Sequence, residues 1–492
     1  MRRPRPAEVA AAVRMTDRLA PALLVAGLTA CAVAAQAPGD NGAPLLPRTD
    51  IPYSNATPIL RALRADLVPA ELRGHTAAEL DAAWPAWVAG RDAAIRARVE
   101  EGDADSIVYL LQFGTTFTRQ PRVTGRELAG VVVRPAGGGV SRFLPSPVLQ
   151  ARIEDFLTAL TSSDANERLQ FARQVIARRG IDPATEPGRS ELRRYLLERV
   201  EVIGQAPRLS RFLDPNGDVV DQTTLFRDRG LASDTSIAVH FGVEQALAAI
   251  KARGLLQPGG VGRIAIIGPG LDFIDKQEGY DFYPQQTIQP FALIDALIRL
   301  GLANEPELRL TAFDLSPRIL QHLEAARSRA RAGRPYTVVL PRNLERSWTP
   351  ELAQYWARLG DRIGEPATPA APPSNAGRVD ARSVSIRPSV VLSVFPRDAN
   401  IVLQRIEPAS AEDRFDLILA TNILIYYGVF EQSLAVANVA HMLRPGGLFL
   451  SNDRIFELPD SPVVSVGSTS TTYMTAPGTG DSGDRIGWYQ RK

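Results

Sequence analysis

The sequence is poor in the residues that build metal and thiol chemistry. It contains one cysteine, Cys31, and four widely spaced histidines (His75, His240, His322 and His441). A single cysteine excludes an intramolecular disulfide and a thiolate metal site in the folded chain. The sequence also lacks the HExxH, GxSxG and P-loop patterns. We therefore predict no metal site, and neither a metal-dependent hydrolase nor a serine hydrolase is favoured.

The sequence also lacks an excess of charge of one sign. Its 56 lysines and arginines nearly balance 54 aspartates and glutamates, which leaves a formal net charge of +2. No overall electrostatic field therefore attracts nucleic acid, and we predict no nucleic-acid partner. The one dense basic run, RSRARAGR at 327–334, is typical of the solvated C-terminal end of a helix, where the helix dipole favours cations.

Charge is absent altogether from Leu19 to Gly39, an Ala-rich apolar stretch that follows an arginine-rich start. Basic residues, then an apolar stretch, then small residues are the order found in a secretory leader. Leu28-Thr29-Ala30-Cys31 resembles a lipoprotein box, in which Cys31 would be lipidated. We predict that residues 1–37 are a signal peptide, a lipoprotein signal or an uncleaved anchor, with membrane attachment through 19–37 or Cys31. An Ala-rich N-terminus without a targeting role is the alternative.

The remaining chain divides into two parts with different patterns. Residues 38–51 resemble a linker, and residues 52–235 space their apolar positions by three and four, which predicts a mainly helical domain. This part carries no chemical motif, so its role stays open. The stretch FGTTFTR at 113–119 is interpreted as local turn chemistry rather than a site.

From residue 236 to 492 short apolar strands alternate with helices. This alternation predicts an α/β fold with a mostly parallel sheet covered on both faces. The last segments, VVSVGSTSTTYM and RIGWYQ, predict a terminal antiparallel hairpin. The Pro-rich stretch EPATPAAPPSNAG, residues 365–377, is interpreted as a surface loop.

The strand RIAIIG ends in a glycine turn made of Gly268, Pro269 and Gly270. Glycines at this point let the backbone pass close to a ligand, and ligands of such sheets bind beyond the carboxyl ends of the strands. Asp314 ends the next predicted strand, where a carboxylate can accept hydrogen bonds from both hydroxyl groups of a ribose. Residues 271–287 are longer than a simple connection needs and contain Tyr280, Phe282 and Tyr283. We interpret them as a lid over a cofactor, with a surface loop as the alternative.

Two adenosine-containing cofactors compete for this site. The dinucleotide fingerprint requires a third glycine, and the chain has Phe273 at that position, which disfavours NAD. S-adenosylmethionine has no diphosphate and does not need that glycine. The segments ATNILIYYG (420–428) and HMLRPGGLFLSND (441–453), together with the hairpin, resemble class I S-adenosylmethionine-dependent methyltransferases. AFDLSPRIL (312–320), RDANIVL (397–403) and FDLILATNILIYY (415–427) further resemble the chemotaxis-receptor glutamate methyltransferases.

The resemblance implies a Rossmann-like class I methyltransferase sheet preceded by a mainly helical N-terminal domain. It implies S-adenosylmethionine as the cofactor and roles for particular residues. Asp314 is placed at the ribose, Asn400 and Ile401 beside the adenine, Asn422 near the transferring methyl group and Tyr426 at the acceptor pocket. The full set of expected cofactor-binding residues is Gly268, Pro269, Gly270, Asp272, Asp314, Leu315, Asn400, Ile401 and Thr421, and the expected catalytic residues are Asn422 and Tyr426.

Two departures weaken the resemblance. Class I enzymes commonly carry an acidic residue in the first strand, where this chain has Ile266, and Asp272 or Asp275 would have to replace it. The predicted leader also conflicts with a cofactor made inside the cell. We therefore predict methyl transfer to an unidentified acceptor, either a protein carboxylate or a small molecule. The alternative is an envelope protein that uses a decayed methyltransferase fold to bind a ligand or partner. The oligomeric state is not indicated.

Overall fold

A computed structural model describes residues 46–123, 131–133, 142–204, 226, 229–233, 236–272, 280–475 and 482–492. The predicted leader with Cys31 lies outside the described residues, as do Phe273 and Asp275. Residues Leu46–Lys492 form one compact unit. No helix in the described ranges has both the length and the apolar character that a membrane crossing requires.

The N-terminal part is helical, as its spacing predicts. Its helices are α1 (Tyr53–Ala62), α2 (Ala77–Phe113), α3 (Pro147–Thr161), α4 (Glu167–Arg178) and α5 (Glu186–Gly204). The long helix α2 begins at a capping box, in which Thr76 and Glu79 each bond the other's backbone N–H, at 3.3 and 2.7 Å. A short antiparallel pair, β2 (Val131–Val133) and β3 (Arg142–Leu144), lies between α2 and α3.

The C-terminal part alternates strands and helices. The strands of its main sheet are β4 (Arg263–Ile267), β5 (Arg309–Asp314), β9 (Val394–Asp398), β11 (Phe415–Ala420), β12 (Leu443–Ser451), β13 (Val463–Met474) and β14 (Ser482–Arg491). The main helices are α6 (Ile237–Ala252), α7 (Gln289–Arg299), α8 (Pro317–Arg331), α9 (Pro350–Arg358), α10 (Pro388–Leu392) and α11 (Val429–Met442). The sheet order is β13-β14-β12-β11-β4-β5-β9.

Five of the seven strands pair in parallel, and β13 and β14 form an antiparallel hairpin. The strands β9, β5, β4, β11 and β12 run in parallel, and β14 pairs antiparallel with both β12 and β13. The predicted mostly parallel sheet with a terminal hairpin is thus confirmed. The carboxyl ends of the five parallel strands meet at one edge of the sheet, and we call it the carboxyl edge.

The sheet is covered on both faces, which explains the continuous apolar runs of its strands. Along β4, Ile264 and Ile266 face the core that contains α6, α7 and α8. Ala265 and Ile267 face the opposite core, which contains α11 and the N-terminal helices α1 and α2. The N-terminal helices therefore supply one layer of the same core. The predicted boundary between residues 235 and 236 stays a prediction.

A second, three-stranded antiparallel sheet is inserted between β5 and β9. It consists of β6 (Tyr336–Asn343), β7 (Gly364–Ala367) and β8 (Val379–Ile386), in the order β6-β8-β7. The prediction of a surface loop at 365–377 is wrong in part, because its first residues belong to β7. Pro366 is tolerated there since β7 is an edge strand.

The predicted linker 38–51 also contains a strand. Residues Arg48–Asp50 form β1, which pairs antiparallel with β10 (Gln404–Ile406). The pairing joins residues more than 350 positions apart, so no local pattern in the sequence signals it.

Candidate cofactor site at the carboxyl edge of the sheet

The glycine turn follows β4 at the carboxyl edge. Gly268 and Gly270 have φ values of 67° and 73°, a left-handed conformation that glycine adopts without steric cost. The backbone N–H of Gly268 donates to the carbonyl of Phe313 at 2.8 Å, which ties the turn to β5. A Cβ atom added at Gly268 would overlap Cδ1 of Ile423. The left-handed φ therefore favours glycine at Gly268, and a side chain there would also require Ile423 to shift.

Asp314 ends β5 directly beside this turn. Its neighbour Phe313 is the register partner of Ile267, so the carboxyl group of Asp314 lies one residue beyond the pairing. Oδ1 accepts from the backbone N–H of Ser316 at 2.8 Å. Burial raises the pKa of Asp314 to about 7, against the lowering effect of the backbone N–H groups of Ser316 and Leu315. The predicted ribose-binding acid thus lies next to the glycine turn.

Asp272 is buried and already engaged. Its Oδ2 accepts from the hydroxyl of Tyr283 and from Nε2 of Gln286, both at 2.9 Å. Its backbone N–H donates to the carbonyl of Gln286 at 2.6 Å. These bonds hold the two ends of the long connection after β4 together. Ile266, at the position where an acid is common in class I enzymes, packs in the core.

The aromatic residues of the predicted lid pack inside the protein instead of forming a lid. Tyr280 and Tyr283 are buried, and they pack with Phe282 and Val339 in a small apolar cluster against the inserted sheet. Asp281, between them, is also buried and accepts four hydrogen bonds from Thr115 and Thr116. The FGTTFTR stretch therefore makes a long-range contact, and its interpretation as local turn chemistry is wrong.

The expected adenine residues lie at the end of β9. Nδ2 of Asn400 donates to Oδ1 of Asp92 on α2 at 2.8 Å, and Ile401 is buried in the core that α1 and α2 share. Asp398 is the register partner of Asp314, and its two oxygens accept from Arg96 at 2.8 Å and Arg48 at 2.7 Å. The N-terminal helices thus line this end of the edge, a role that sequence reasoning missed.

The loop after β11 lies on the other side of the glycine turn. Oγ1 of Thr421 accepts from Nε2 of Gln289 at 2.7 Å. Asn422 is exposed and has φ 57°, and within the described part of the chain no other non-glycine residue has a positive φ. Such strain concentrates at functional sites. Tyr426 is buried, with its ring 5.8 Å from that of Phe226.

Three polar residues that the sequence analysis did not single out hold this loop. Oδ2 of Asp453 accepts from the backbone N–H groups of Ile423 and Leu424 at 2.9 and 2.7 Å. Asn452 bonds Asn422 twice and also donates to Asp484. Burial raises the pKa of Asp453 to about 7 and raises that of Asp484 as well. The signal available in the sequence is Asn-Asp at the end of the strand LFLSND.

A segment from the N-terminal part crosses the glycine turn. The carbonyl of Ser233 accepts from the backbone N–H of Leu271 at 2.7 Å. Arg318, four residues after Asp314, donates to the hydroxyl of Ser233 at 3.1 Å and stands 3.7 Å from Asp103 of α2. The structure therefore brings together the glycine turn, Asp314 and the loop of Asn422, and covers them with residues from the helical part. Among the described residues, no group of His, Cys, Asp and Glu is arranged to hold a metal ion.

Comparisons with known proteins are limited to solved structures, because no protein-family model and no curated protein matches the chain. The N-methyltransferase NodS from Bradyrhizobium japonicum WM9 is 13% identical, with 51% of this chain and 96% of that chain covered and a TM-score of 0.23. The magnesium protoporphyrin IX methyltransferase ChlM from Synechocystis PCC 6803, solved with bound SAM, is 12% identical, with 58% and 91% covered and a TM-score of 0.24. A TehB-like SAM-dependent methyltransferase from Corynebacterium glutamicum is 10% identical, with 50% and 86% covered and a TM-score of 0.23.

At TM-scores of 0.23 and 0.24 these likenesses carry no argument, and the fold follows from the strand order of this chain. The order of the seven strands, with five in parallel and an antiparallel hairpin at one end, is that of the class I methyltransferase sheet. The chain has this Rossmann-like fold, preceded by a mainly helical part, as the sequence predicts.

Proposed function

We propose that the chain binds S-adenosylmethionine at the carboxyl edge and transfers its methyl group to an acceptor. The observation that carries this proposal is the position of Asp314, a half-buried carboxyl group beside a glycine turn in a sheet of this strand order. A half-buried carboxyl group with a raised pKa at such an edge is typical of a functional group rather than of a core residue.

The residues present fit the adenosine part of this cofactor. The left-handed glycines bring backbone close to the edge without side chains, and Asp314 would accept hydrogen bonds from the ribose hydroxyl groups. Asn422 and Tyr426, in the adjacent loop, would border the reacting end. When bound, the cofactor supplies a methyl group that is already activated by the sulfonium charge. The protein's own contribution is alignment of the acceptor and exclusion of water.

The part of the site that would hold the methionine portion of the cofactor lacks the acid that class I enzymes commonly carry in β4. Asp272, the described candidate to replace the missing acid of β4, is bonded to Tyr283 and Gln286. The likeness to chemotaxis-receptor methyltransferases stays a prediction, as do a carboxylate acceptor and the membrane attachment of residues 1–37.

A second candidate, a binding protein that has lost methyl transfer, is favoured by one observation. The side chain of Ile423 packs against Gly268. It therefore occupies space that would adjoin a cofactor bound beside the turn. In this case the fold would bind another ligand or a partner through the same edge.

Calorimetric titration of the full chain with S-adenosylmethionine and S-adenosylhomocysteine separates the two candidates. We expect micromolar binding that falls by about tenfold or more in Asp314→Ala, since hydrogen bonds to a charged acceptor contribute about 1.5–3 kcal/mol. The matched control is Asp416→Ala. Asp416 caps the opposite edge of the same sheet by accepting from the N–H groups of Gly262 and Arg263 at 2.8 and 2.9 Å. Absence of binding by the intact chain would favour the second candidate.

A further inference from the structure

The amide of Asn422 has a defined orientation that follows from its partners. Its backbone N–H lies 2.7 Å from one terminal atom of the Asn452 side chain. A backbone N–H can only donate, so that atom of Asn452 is the oxygen, Oδ1. The other terminal atom of Asn452 is therefore Nδ2, a donor.

The two contacts of this Nδ2 agree with the assignment. It lies 2.7 Å from Oδ2 of Asp484, which accepts. It also lies 2.9 Å from a terminal atom of the Asn422 side chain, which must then be Oδ1. Two N–H donors at that distance would face each other with no acceptor between them. The orientation thus follows from hydrogen-bond chemistry and does not depend on how the amides are drawn.

The consequence concerns the remaining end of Asn422. Its oxygen is held by Asn452, so its Nδ2 group is turned away from Asn452. Within the described residues, this Nδ2 has no hydrogen-bond partner. The loop of Asn422 borders the glycine turn, since Ala420 is the register partner of Ile267 and Ile423 packs on Gly268. The free end of Asn422 is therefore a donor on the loop that borders the glycine turn.

We propose that Asn452 and Asp484 are positioning residues that fix Asn422 with its N–H groups toward the reacting end of the site. The inference rests on the proposed function and adds the class of group that the site selects. An acceptor that places a hydrogen-bond-accepting oxygen beside its nucleophilic atom is favoured there. A protonated amine, which brings only N–H donors, is disfavoured.

Sinefungin and S-adenosylhomocysteine report this orientation without a known acceptor. Sinefungin carries a protonated amine where the cofactor carries its methyl group, and S-adenosylhomocysteine carries nothing there. The ratio of their dissociation constants therefore measures which end of Asn422 faces that position. Both ligands are titrated calorimetrically into the full chain.

The decisive variant exchanges the acid and the amide, Asn452→Asp with Asp484→Asn. The acid at position 452 still accepts from the backbone N–H of Asn422, but its second oxygen now requires a donor. The amide of Asn422 must then turn over and present Oδ1 to the site. We expect sinefungin to bind about tenfold or more tightly relative to S-adenosylhomocysteine, with S-adenosylhomocysteine itself changed by less than about threefold, since a hydrogen bond to a charged group contributes about 1.5–3 kcal/mol.

The exchange also moves the negative charge from position 484 to position 452. The variant Asn422→Ala controls for the effect of this charge on the ratio. In the Asn422→Ala background the same exchange is expected to leave the ratio unchanged. The single variant Asn422→Asp, which needs no rearrangement, is expected to favour sinefungin in the same way. An unchanged ratio in Asn422→Asp, or an equal change with and without Asn422, would overturn the inference while leaving cofactor binding in place. Failure of both ligands to bind the unaltered chain would instead overturn the proposed function, and this inference with it.

Discussion

At the scale of single residues, the carboxyl group of Asp314 couples stability to binding. Burial raises its pKa to about 7 in the folded chain, from 3.8 in the absence of burial. Between these pH values the folded chain binds a proton that the unfolded chain has released. The contribution of this group to stability is therefore complete below about pH 4 and is lost as pH rises to about 7.

Replacing this carboxyl group should therefore stabilise the free protein. At pH 8 we expect Asp314→Asn to raise the free energy of unfolding by on the order of 2–4 kcal/mol, since each pKa unit corresponds to about 1.4 kcal/mol. At pH 4 the gain should vanish. Urea unfolding at both pH values measures it. Asp416→Asn, which weakens an ion pair with Arg444, should lower stability instead. An unfolding free energy that is the same in Asp314→Asn and the unaltered chain at pH 8 would contradict the burial of this group.

The same pKa predicts a pH dependence of binding. An ionised carboxylate accepts hydrogen bonds from ribose hydroxyl groups more strongly than a protonated one. Because Asp314 is about one-tenth ionised a pH unit below its pKa, affinity for S-adenosylhomocysteine should rise by up to about tenfold from pH 6 to pH 8. Titration calorimetry at several pH values tests this. In Asp314→Asn the affinity should be weaker and flat over this range, and a rise that persists in the variant would assign the titration to another group.

Gly268 and Gly301 form a matched pair for the glycine turn. Both have a left-handed φ, 67° and 65°, but a Cβ at Gly301 would meet open space whereas one at Gly268 would overlap Ile423. Gly301→Ala should cost about 1 kcal/mol from backbone strain alone. Gly268→Ala should cost more and should also weaken S-adenosylhomocysteine binding, which Gly301→Ala leaves unchanged. Thermal unfolding and calorimetry measure the two effects, and equal behaviour of the pair would argue against close approach of a ligand at the turn.

At the scale of secondary structure, the contact of Asp281 with Thr115 and Thr116 joins the end of α2 to the connection after β4. The buried carboxylate accepts from two backbone N–H groups at 2.7 and 3.2 Å and from two hydroxyl groups at 2.6 Å each. These four bonds take the place of the water molecules that would otherwise hydrogen-bond this carboxylate. Removal of the acceptor leaves buried donors unsatisfied.

We expect Asp281→Ala to lower the free energy of unfolding by about 3 kcal/mol or more, as for other buried charge networks. Denaturant unfolding measures this change. Asp361→Ala is the control, because this aspartate is exposed, pairs with Arg382 at 3.0 Å and should change stability by less than about 1 kcal/mol. Similar losses in both variants would mean that the contact adds little to the fold.

Local pattern predicted the elements that the two cores require. The apolar runs of β4, β5 and β11 and the spacing of α7, α8 and α11 follow from burial on one or both faces. The strands β1 and β7 were missed. The partner of β1 is distant in sequence, and β7 itself runs into the Pro-rich stretch, so neither carries an alternating pattern of its own.

Those features of the site that depend only on the position of the backbone could be predicted from the sequence. Strand ends predicted that the glycine turn, Asp314 and Asn422 would meet at one edge. Side-chain partners were not predictable, because they come from other elements. Asn400 bonds Asp92 of α2, and Asn422 bonds Asn452 of the next strand. The aromatic residues in the connection after β4 suggested a lid from the sequence. Their packing against Val339 depends on the inserted sheet, which the sequence did not reveal.

At the scale of the whole molecule, the helical part and the sheet share their core. Trp84 and Trp87 of α2 stack at 4.8 Å, and Trp87 meets Phe430 of α11 at 5.8 Å. Nε of Arg91 donates to the buried carboxylate of Glu431 at 2.5 Å. These contacts cover the face of the sheet that β4 presents through Ala265 and Ile267. An apolar face of this size cannot stay exposed to water in a stable domain.

Residues 236–492 should therefore not fold alone, although they contain every strand of the main sheet. We expect this fragment to bind a hydrophobic dye, to lack a cooperative thermal transition and to bind no S-adenosylhomocysteine. Residues 46–492, the matched control, should unfold in one transition that circular dichroism and tryptophan fluorescence report at the same temperature. Within that longer chain, Trp84→Ala should lower the transition of both parts together, because loss of a large buried aromatic side chain typically costs about 3–5 kcal/mol. A fragment 236–492 that melts cooperatively, or two separate transitions in 46–492, would show instead that the helices form a domain of their own. The residues they place at the carboxyl edge, such as Asp92, Asp103 and Ser233, would then be a removable cover and not part of the site.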